Sequence, residues 1–171
     1  MELVTENLKI IALNEEQFAL LIRGIDKLED ALGIDVSSEP LDGPAKTALQ
    51  WLYDEGMNDR ENFIWYTSWQ LVLKSMNMLI GSACFLGKPG ADGRVELSYG
   101  IHKFCRLRGY EEEVLSAICG WAFERGVKEI VSGSDMNDYA AQKILEVCGF
   151  ESFGASEAEG ICFWRRSAAQ V

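Results

Sequence analysis

Apolar residues in the first third of the chain recur first with a strand period and then with a helical period. The run Leu8 to Leu13 is apolar and rich in β-branched residues, which predicts a short strand. From the N-cap residue Asn14 to the stop signal Gly33, apolar side chains recur at helical spacing and predict one helix. A second helix is predicted after Pro44, because proline suits the first turn of a helix.

The middle of the chain alternates between apolar and polar residues, which predicts strands at Phe63–Leu73, Met78–Leu86 and Arg94–His102. The segment Gly87–Gly93 between the last two is rich in glycine and predicts a turn. In the third strand every second side chain is apolar. We therefore expect Glu96 and the other polar residues of this strand on the opposite face.

The last part of the chain predicts helices that alternate with strands. In order, we expect a helix from about Tyr110 to Arg125, a strand at Val127–Ser132, a helix that ends at Gly149, and short strands near Phe150–Gly154 and Gly160–Arg166. The whole order is β-α-α-β-β-β-α-β-α-β-β. It predicts an α/β fold in which helices flank a mixed central β-sheet, as a single domain over residues 1–171.

Charge narrows the range of partners. The chain has 16 basic and 27 acidic residues, a formal net charge of −11. Such a field repels phosphate backbones and anionic lipid surfaces, so we expect neither nucleic acid nor membrane as a partner, whereas an amine would be attracted. No apolar run approaches the roughly 20 residues of a membrane helix, and residues 1–9 are too polar for a signal peptide.

Cysteine and histidine usage points to a reducing compartment and away from a metal site. The chain has one histidine, His102, which cannot support a zinc site alone. The five cysteines form no CxxC pair, so we expect free thiols in a cytoplasmic protein. A Cys–His nucleophile pair stays open as an alternative, although no local pattern supports it. The cysteines are Cys84, Cys105, Cys119, Cys148 and Cys162.

A loop between the third predicted strand of the middle region and the long helix carries the most informative pattern. It reads Arg106-Leu107-Arg108-Gly109-Tyr110-Glu111. Backbone N–H groups at a helix start bind pyrophosphate, glycine allows close approach, and basic side chains add charge. Together with the later helix end Ile144–Phe150, this loop resembles the signature Arg/Gln-x-x-Gly-x-Gly/Ala of the GNAT superfamily of acyl-CoA-dependent N-acetyltransferases. The resemblance extends over roughly residues 80–166 and is greatest to the branch that acetylates ribosomal-protein N-termini.

The resemblance implies a co-substrate, acetyl-CoA, without a metal. Acetyl-CoA would enter where the sheet splays between the strand that ends at His102 and the strand that begins near Val127, and a strand N–H would polarise the acetyl carbonyl. The acceptor would be an amine of a small molecule or a peptide, bound against the first two helices and the loop Ile34–Gly43. The protein would be a monomer or a homodimer. The implied cofactor-binding residues are Ile101, His102, Lys103, Arg106, Leu107, Arg108, Gly109, Tyr110, Glu111, Asn137 and Asp138.

Two residues are candidates for proton transfer. Family members often use a carboxylate on the strand before the signature to deprotonate the amine, which here is Glu96. Many members use a tyrosine as general acid, but the position implied for it holds Leu145. Tyr139 is the nearest phenol and is taken as the candidate acid.

The signature departs from the family pattern at Glu111, where glycine or alanine is usual, and Asp138 and Ala141 stand where asparagine and serine are usual. Acidic residues are favoured in a first helical turn, so we expect the Glu111 side chain to point to solvent and leave cofactor binding intact. The alternative is that these changes mark a degenerate GNAT-fold module. Such a module would bind a ligand or a partner and would have weakened or lost acyl-CoA binding.

Overall fold

Eight strands form one mixed sheet in the computed structural model, which describes residues 1–36 and 38–168. The strand order across the sheet is β1-β2-β3-β4-β5-β6-β8-β7. The strands are β1 (Glu2–Val4), β2 (Leu8–Ala12), β3 (Ser68–Leu73), β4 (Met78–Phe85), β5 (Arg94–Ile101), β6 (Glu129–Asp135), β7 (Glu151–Ser156) and β8 (Ile161–Ser167). The helices are α1 (Glu15–Arg23), α2 (Ile25–Leu32), α3 (Gly43–Asn58), α4 (Tyr110–Glu124) and α5 (Tyr139–Val147). Short 3₁₀ helices lie at Arg60–Trp65 and Lys103–Cys105.

The sheet is mixed because one of its pairings is parallel. β5 and β6, which are joined through α4, run parallel, whereas the other neighbours are antiparallel. A crossover helix between parallel strands is the usual solution for such a connection. The predicted fold class, an α/β fold with helices flanking a mixed sheet, is confirmed. No helix within the described ranges is long and apolar enough to cross a membrane.

Helices cover both faces of the sheet, with a separate apolar core on each. In β4, Ala83 and Phe85 belong to the core that contains α4 and α5, whereas Cys84 packs against the core under α1, α2 and α3. This alternation is the two-residue period of a strand that is buried on both faces. The aromatic centre of the first core is tight, since the Trp121 ring centroid lies 4.8 Å from those of both Trp65 and Trp69.

The structure divides the first predicted helix in two. The N–H of Gly24 donates to Leu20 O and ends α1, after which Gly24 is extended and α2 begins at Ile25. The apolar periodicity continues across this break, because both helices bury side chains, among them Phe18 and Leu28, in the same core. Periodicity alone therefore could not reveal the break.

The observed strands differ from the predicted ones in two further details. The strand predicted over Phe63–Leu73 begins only at Ser68, because a 3₁₀ turn sends Phe63 into one core and Trp65 into the other. The strand β1 was not predicted. It is short and acidic, and it depends on pairing with β2, where Glu2 stands opposite Ile11.

A bulge in β4 brings two glycines together next to the end of β5. The register between β3 and β4 shifts after Leu71, and the His102 N–H then donates to Ile80 O at 2.7 Å. A Cβ atom at Gly81 would overlap the backbone carbonyl oxygen of Gly100. Only glycine at position 81 allows the two strands to approach this closely.

We expect Gly81→Ala to lower the free energy of unfolding by about 1–3 kcal/mol, because the overlap is with backbone, which cannot rotate away. The matched control is Gly100→Ala, since a Cβ there has no atom within 4 Å and should change stability by less than about 0.5 kcal/mol. Urea denaturation followed by circular dichroism measures both. Equal stability of the two variants would contradict the close-approach argument.

Candidate active site

β5 and β6 separate after only three paired positions. Arg94, Val95 and Glu96 stand opposite Glu129, Ile130 and Val131, and no pairing is recorded beyond them, although β5 continues to Ile101 and β6 to Asp135. β6 instead uses its other edge, pairing with β8 along its whole length. The opening holds a cavity of about 290 Å³, lined by residues 96–99 of β5 and 133–135 of β6. The expected splay of the sheet is therefore present.

The loop after β5 presents the start of α4 to solvent. Leu107 (φ 60°) and Gly109 (φ 84°) adopt left-handed backbone conformations, and Gly109 is the N-cap of α4. The Glu113 N–H donates to Gly109 O at 3.2 Å, so the N–H groups before it in the first turn are available to a ligand. A groove of about 310 Å³ runs from Leu107 and Gly109 to Lys143 on α5. This donor set matches what a pyrophosphate requires.

Arg106 ties the loop to the start of α5. Its Nη2 donates to both carboxylate oxygens of Asp138, at 3.0 and 2.8 Å. Asp138 is also the N-cap of α5, since its Oδ1 accepts from the Ala141 N–H at 3.0 Å. The Ala141 N–H first, and then Arg106, hold the pKa of Asp138 below its usual value, against the opposing effect of burial.

Glu111 does not point to solvent, so the sequence-based expectation for it is wrong. Its side chain is only 4% exposed, and Oε1 lies 3.8 Å from Arg106 Nε, a distance for an ion pair but not for a hydrogen bond. Neither carboxylate oxygen has a hydrogen-bond partner among the described residues. Glu111 lies in the first turn of α4, where the positive end of the helix dipole stabilises its negative charge. Arg106 therefore lies between two carboxylates, those of Glu111 and Asp138.

The other two acids of the same helical turn have different surroundings. Glu113 accepts hydrogen bonds from the Thr5 hydroxyl, from the Asn7 N–H at 3.0 Å and from Asn7 Nδ2 at 2.6 Å. Burial acts to raise its pKa, but these hydrogen bonds outweigh that effect and hold the pKa below its usual value. Glu112 lines the groove between α4 and α5. Of these three adjacent acids, Glu111 is buried, Glu112 lines the groove and Glu113 has a structural role through its hydrogen bonds.

The two residues predicted for proton transfer lie apart. Glu96 is on the polar face of β5, as expected, and lines the cavity where β5 and β6 separate. Tyr139 is the first residue of α5, its side chain is 75% exposed, and it lines neither this cavity nor the groove beside α4. The structure therefore does not bring Tyr139 to Glu96, and a role for it as acid remains a sequence-based prediction.

Tyr99 was missed as a candidate because it occupies a position on the apolar face of β5. It lines the same cavity as Glu96 and is half-buried. Burial first, and then nearby groups that include Glu111 and Asp138, raise the pKa of Tyr99. The phenol consequently remains a proton donor at neutral pH. The only sign of Tyr99 in the sequence was a tyrosine at a position where the other apolar residues of this alternating strand are aliphatic.

The remaining predicted residues line the path from the end of β5 to α5. Ile101 and His102 line a second cavity on the face of α1 to α3, and the Lys103 Nζ stands 5.1 Å from the ring of the exposed Phe104. Arg108 and Asn137 are exposed, and Tyr110 packs at the edge of the core. These positions agree with a binding surface, but their role in binding remains a prediction.

The cysteines are free thiols, as predicted, two of them buried and three half-buried. Burial raises the pKa of Cys84 to about 11 and that of Cys119 to about 12. Thiols with such pKa values are poor nucleophiles at neutral pH.

Comparison with known proteins identifies the family. A family model described as an acetyltransferase (GNAT) domain matches residues 36–151, more than half of the chain. The chain belongs to the GNAT acetyltransferase family. It is 31% identical over 86 residues to YjdG, an uncharacterised N-acetyltransferase from Bacillus subtilis strain 168, and this match covers 50% of the chain and 51% of YjdG. The match therefore spans about half the length of that relative.

Solved structures share the fold along nearly the whole chain. The ribosomal-protein-S5-alanine acetyltransferase from Vibrio fischeri has a TM-score of 0.66 at 12% identity, covering 98% of this chain and 96% of that one. RimL, a ribosomal-protein α-N-acetyltransferase in complex with coenzyme A, has a TM-score of 0.66 at 15% identity, covering 96% of each chain. At these identities the likeness shows the fold alone.

The Arg106–Asp138 pair and the α5 cap can be tested by unfolding at several pH values. Asp138→Ala removes both and should lower the free energy of unfolding by about 1–2 kcal/mol at pH 7. Asp138→Asn is the matched variant, because asparagine still caps a helix but does not pair with Arg106, and it should lose less.

The pH dependence has a definite sign. The pKa of Asp138 is lowered on folding, so its charge contributes stability above the unfolded value of 3.8, and this contribution disappears as the pH falls through the folded pKa. The difference between wild type and Asp138→Asn should therefore shrink below about pH 4. A difference that grows on acidification would rule out the ion pair as its cause.

Proposed function

We propose that the protein is an acetyl-CoA-dependent N-acetyltransferase that transfers an acetyl group to a primary amine. The observation that carries the proposal is the separation of β5 from β6 directly before a loop that exposes the start of α4. Family membership supports the same assignment. The acceptor would be a small amine or the N-terminus of a peptide, and the free thiols favour a cytoplasmic setting.

The residues present fit acetyl-CoA, which would supply an acetyl group already activated as a thioester. The first N–H groups of α4 and the side chain of Arg108 would hold the pyrophosphate, and the Lys143 ammonium lies beside the same groove. The unpaired edge of β5 would hold the pantetheine arm through backbone groups near Ile101. Arg106 contributes indirectly, because its guanidinium is already engaged by Asp138 and Glu111.

We assign proton transfer to Glu96 and Tyr99, two of the polar side chains that line the cavity between β5 and β6. A protonated amine is not a nucleophile, and Glu96, which lines this cavity, would accept its proton directly or through a water. Tyr99, whose phenol stays protonated, is better placed than Tyr139 to donate a proton to the departing thiolate. Most of the rate enhancement would come from positioning the amine beside the acetyl carbon.

Titration calorimetry with acetyl-CoA and free CoA tests the binding part of the proposal. We expect micromolar affinity for the wild type. Glu111→Gln removes a negative charge beside the loop and leaves Asp138 as the one carboxylate paired with Arg106, so it should bind acetyl-CoA about tenfold more tightly. Glu124→Gln, at the exposed far end of α4, is the control with the same charge change and should leave the affinity unaltered.

No binding to the wild type at millimolar ligand would contradict the acetyltransferase proposal. Restored binding in Glu111→Gln alone would instead favour the degenerate module in which the family site has lost its ligand. Equal affinity of the wild type and Glu111→Gln would show that the buried carboxylate does not act on the phosphates.

Glu96→Gln tests the proton-transfer part. With a reactive amine and saturating acetyl-CoA, kcat should fall by about 100-fold, while the affinity for acetyl-CoA measured by calorimetry stays the same. Glu151→Gln on the exposed strand β7 is the charge-matched control and should keep full activity. Release of free CoA thiol is the readout. Full activity in Glu96→Gln would remove this residue from the mechanism.

A further inference from the structure

A second cavity of about 290 Å³ lies at the end of β5, on the face of the sheet that α1, α2 and α3 cover. The first cavity is lined by residues 96–99 of β5, and this one begins at Gly100 and continues through Ile101 and His102. The two cavities therefore follow one another along the same strand. The second is also lined by Ser38, Glu39 and Leu41, which belong to the loop that the family resemblance implies for contact with the acceptor.

The walls of this second cavity are mainly aliphatic. Leu21 of α1, Ile25 of α2 and Leu49 of α3 line it from the helices, and Leu79 and Ile80 line it from β4. The side chains of Leu21 and Ile80 are almost completely buried. Such a lining gains free energy by removing an apolar group from water and offers nothing to a second charge.

The described polar side chains that line the cavity are Ser38, Glu39, Gln70, Ser82 and His102. The buried Gln70 donates from Nε2 to Ser68 Oγ at 2.7 Å, which leaves its Oε1 as an acceptor for a ligand. The buried Ser38 Oγ has no hydrogen-bond partner among the described residues. Among the described residues, Glu39 is the only carboxylate that lines the cavity, and it is exposed at its edge. If a ligand formed hydrogen bonds with Gln70 and Ser38, these two side chains would fix the orientation of one polar group of the ligand.

The volume limits the ligand to a single modest side chain. Ligand pockets in proteins usually measure about 300–1,000 Å³, so a cavity of about 290 Å³ is at the small end of this range. This space accommodates a branched aliphatic or a single-ring aromatic group and is too small for a folded peptide segment or an oligosaccharide. A longer substrate would have to extend out past Glu39.

We propose that this second cavity selects the acceptor, and that the acceptor is a primary monoamine carrying one branched aliphatic or aromatic side chain. The side chain would lie among Leu21, Leu49 and Ile80, with its amine directed toward the end of β5. The proposal rests on the proposed acetyltransferase function and specifies its substrate. A free amine and the first residue of a peptide present the same chemistry, and the test separates them.

The same lining disfavours polyamines and aminosugars. Each additional ammonium group would be taken from water into an aliphatic wall, where a charge without a partner is costly. One carboxylate at the edge can compensate one such charge at most. The net charge of −11 attracts polycations to the surface as a whole, but this attraction does not extend to the cavity lining.

The test is an acceptor panel at saturating acetyl-CoA, with release of free CoA thiol as the readout. Leucinamide and phenylalaninamide are compared with glycinamide and with spermidine. We expect kcat/KM for the two bulky amides to exceed that of glycinamide and that of spermidine by at least tenfold, which is the discrimination typical of a few buried methylenes. A tetrapeptide that begins with leucine separates the two sources: activity equal to leucinamide or higher indicates a peptide N-terminus, and lower activity indicates a free amine.

Variants of α3 tie the preference to this cavity. Leu49→Glu introduces a charge into the wall and should lower kcat/KM for leucinamide at least tenfold with unchanged acetyl-CoA affinity. Ala48→Glu, the exposed neighbour on the same helix, adds the same charge outside the cavity and should have no effect. If Leu49→Glu fails to fold, Leu49→Phe keeps the test open, because it fills the cavity and should shift the preference from phenylalaninamide to alaninamide.

The outcomes are distinguishable from a failure of the proposed function. A preference for spermidine or glycinamide over the bulky amides, or an unchanged profile in the folded Leu49 variants, overturns the substrate inference while transfer itself persists. If calorimetry detects no acetyl-CoA binding, or no amine is acetylated, the acetyltransferase function fails and the substrate inference fails with it.

Discussion

The opening between β5 and β6 depends on one constraint, the sharing of strand edges around these two strands. β6 pairs with β8 at seven positions and β5 pairs with β4 at five, whereas β5 and β6 share only three. Residues 97–101 of β5 stay paired with β4, and β6 stays paired with β8, while β5 and β6 diverge from each other. The second half of β5 is therefore left with an unpaired edge in the interior of a sheet, where a linear ligand can take the place of a strand. The loop and helix that follow β5 begin at this unpaired edge, so a ligand bound there would reach the start of α4.

Charge at the loop is balanced within the protein before any ligand arrives. Arg106 contacts Asp138 on one side and Glu111 on the other, and the fold thereby couples the loop, α4 and α5 through a single guanidinium. A buried carboxylate with no hydrogen bond is unfavourable, and here the Arg106 charge and the helix dipole compensate it. The pairing stabilises the loop, but it also means that attraction for an anion must come from backbone N–H groups and from Arg108 and Lys143.

Much of this arrangement followed from local sequence patterns, and the errors have a common physical origin. The face alternation of β5 and the start of α4 at Tyr110 were predictable, because turn residues and apolar periods encode them locally. The separation of the sheet was implied only by the family resemblance. The burial of Glu111 was not predictable, because an acidic residue in a first helical turn is favoured whichever way it points, and only the packing of α4 against Arg106 and the core decides the direction. The contact between Arg106 and Asp138, 32 residues apart, and the position of Tyr99 beside the cavity depend on tertiary packing, which no local pattern contains.

The internal neutralisation of Arg106 has a kinetic consequence. An anionic ligand that approaches the loop meets the summed field of a chain with net charge −11, and Arg106 does little to offset it at long range. Over distances beyond about 10 Å, the Debye length at 0.1 M salt, this field is repulsive and is screened by mobile ions. Added salt should therefore accelerate the encounter of the loop with a multiply charged anion, in contrast to the slowing seen when a basic surface steers such a ligand.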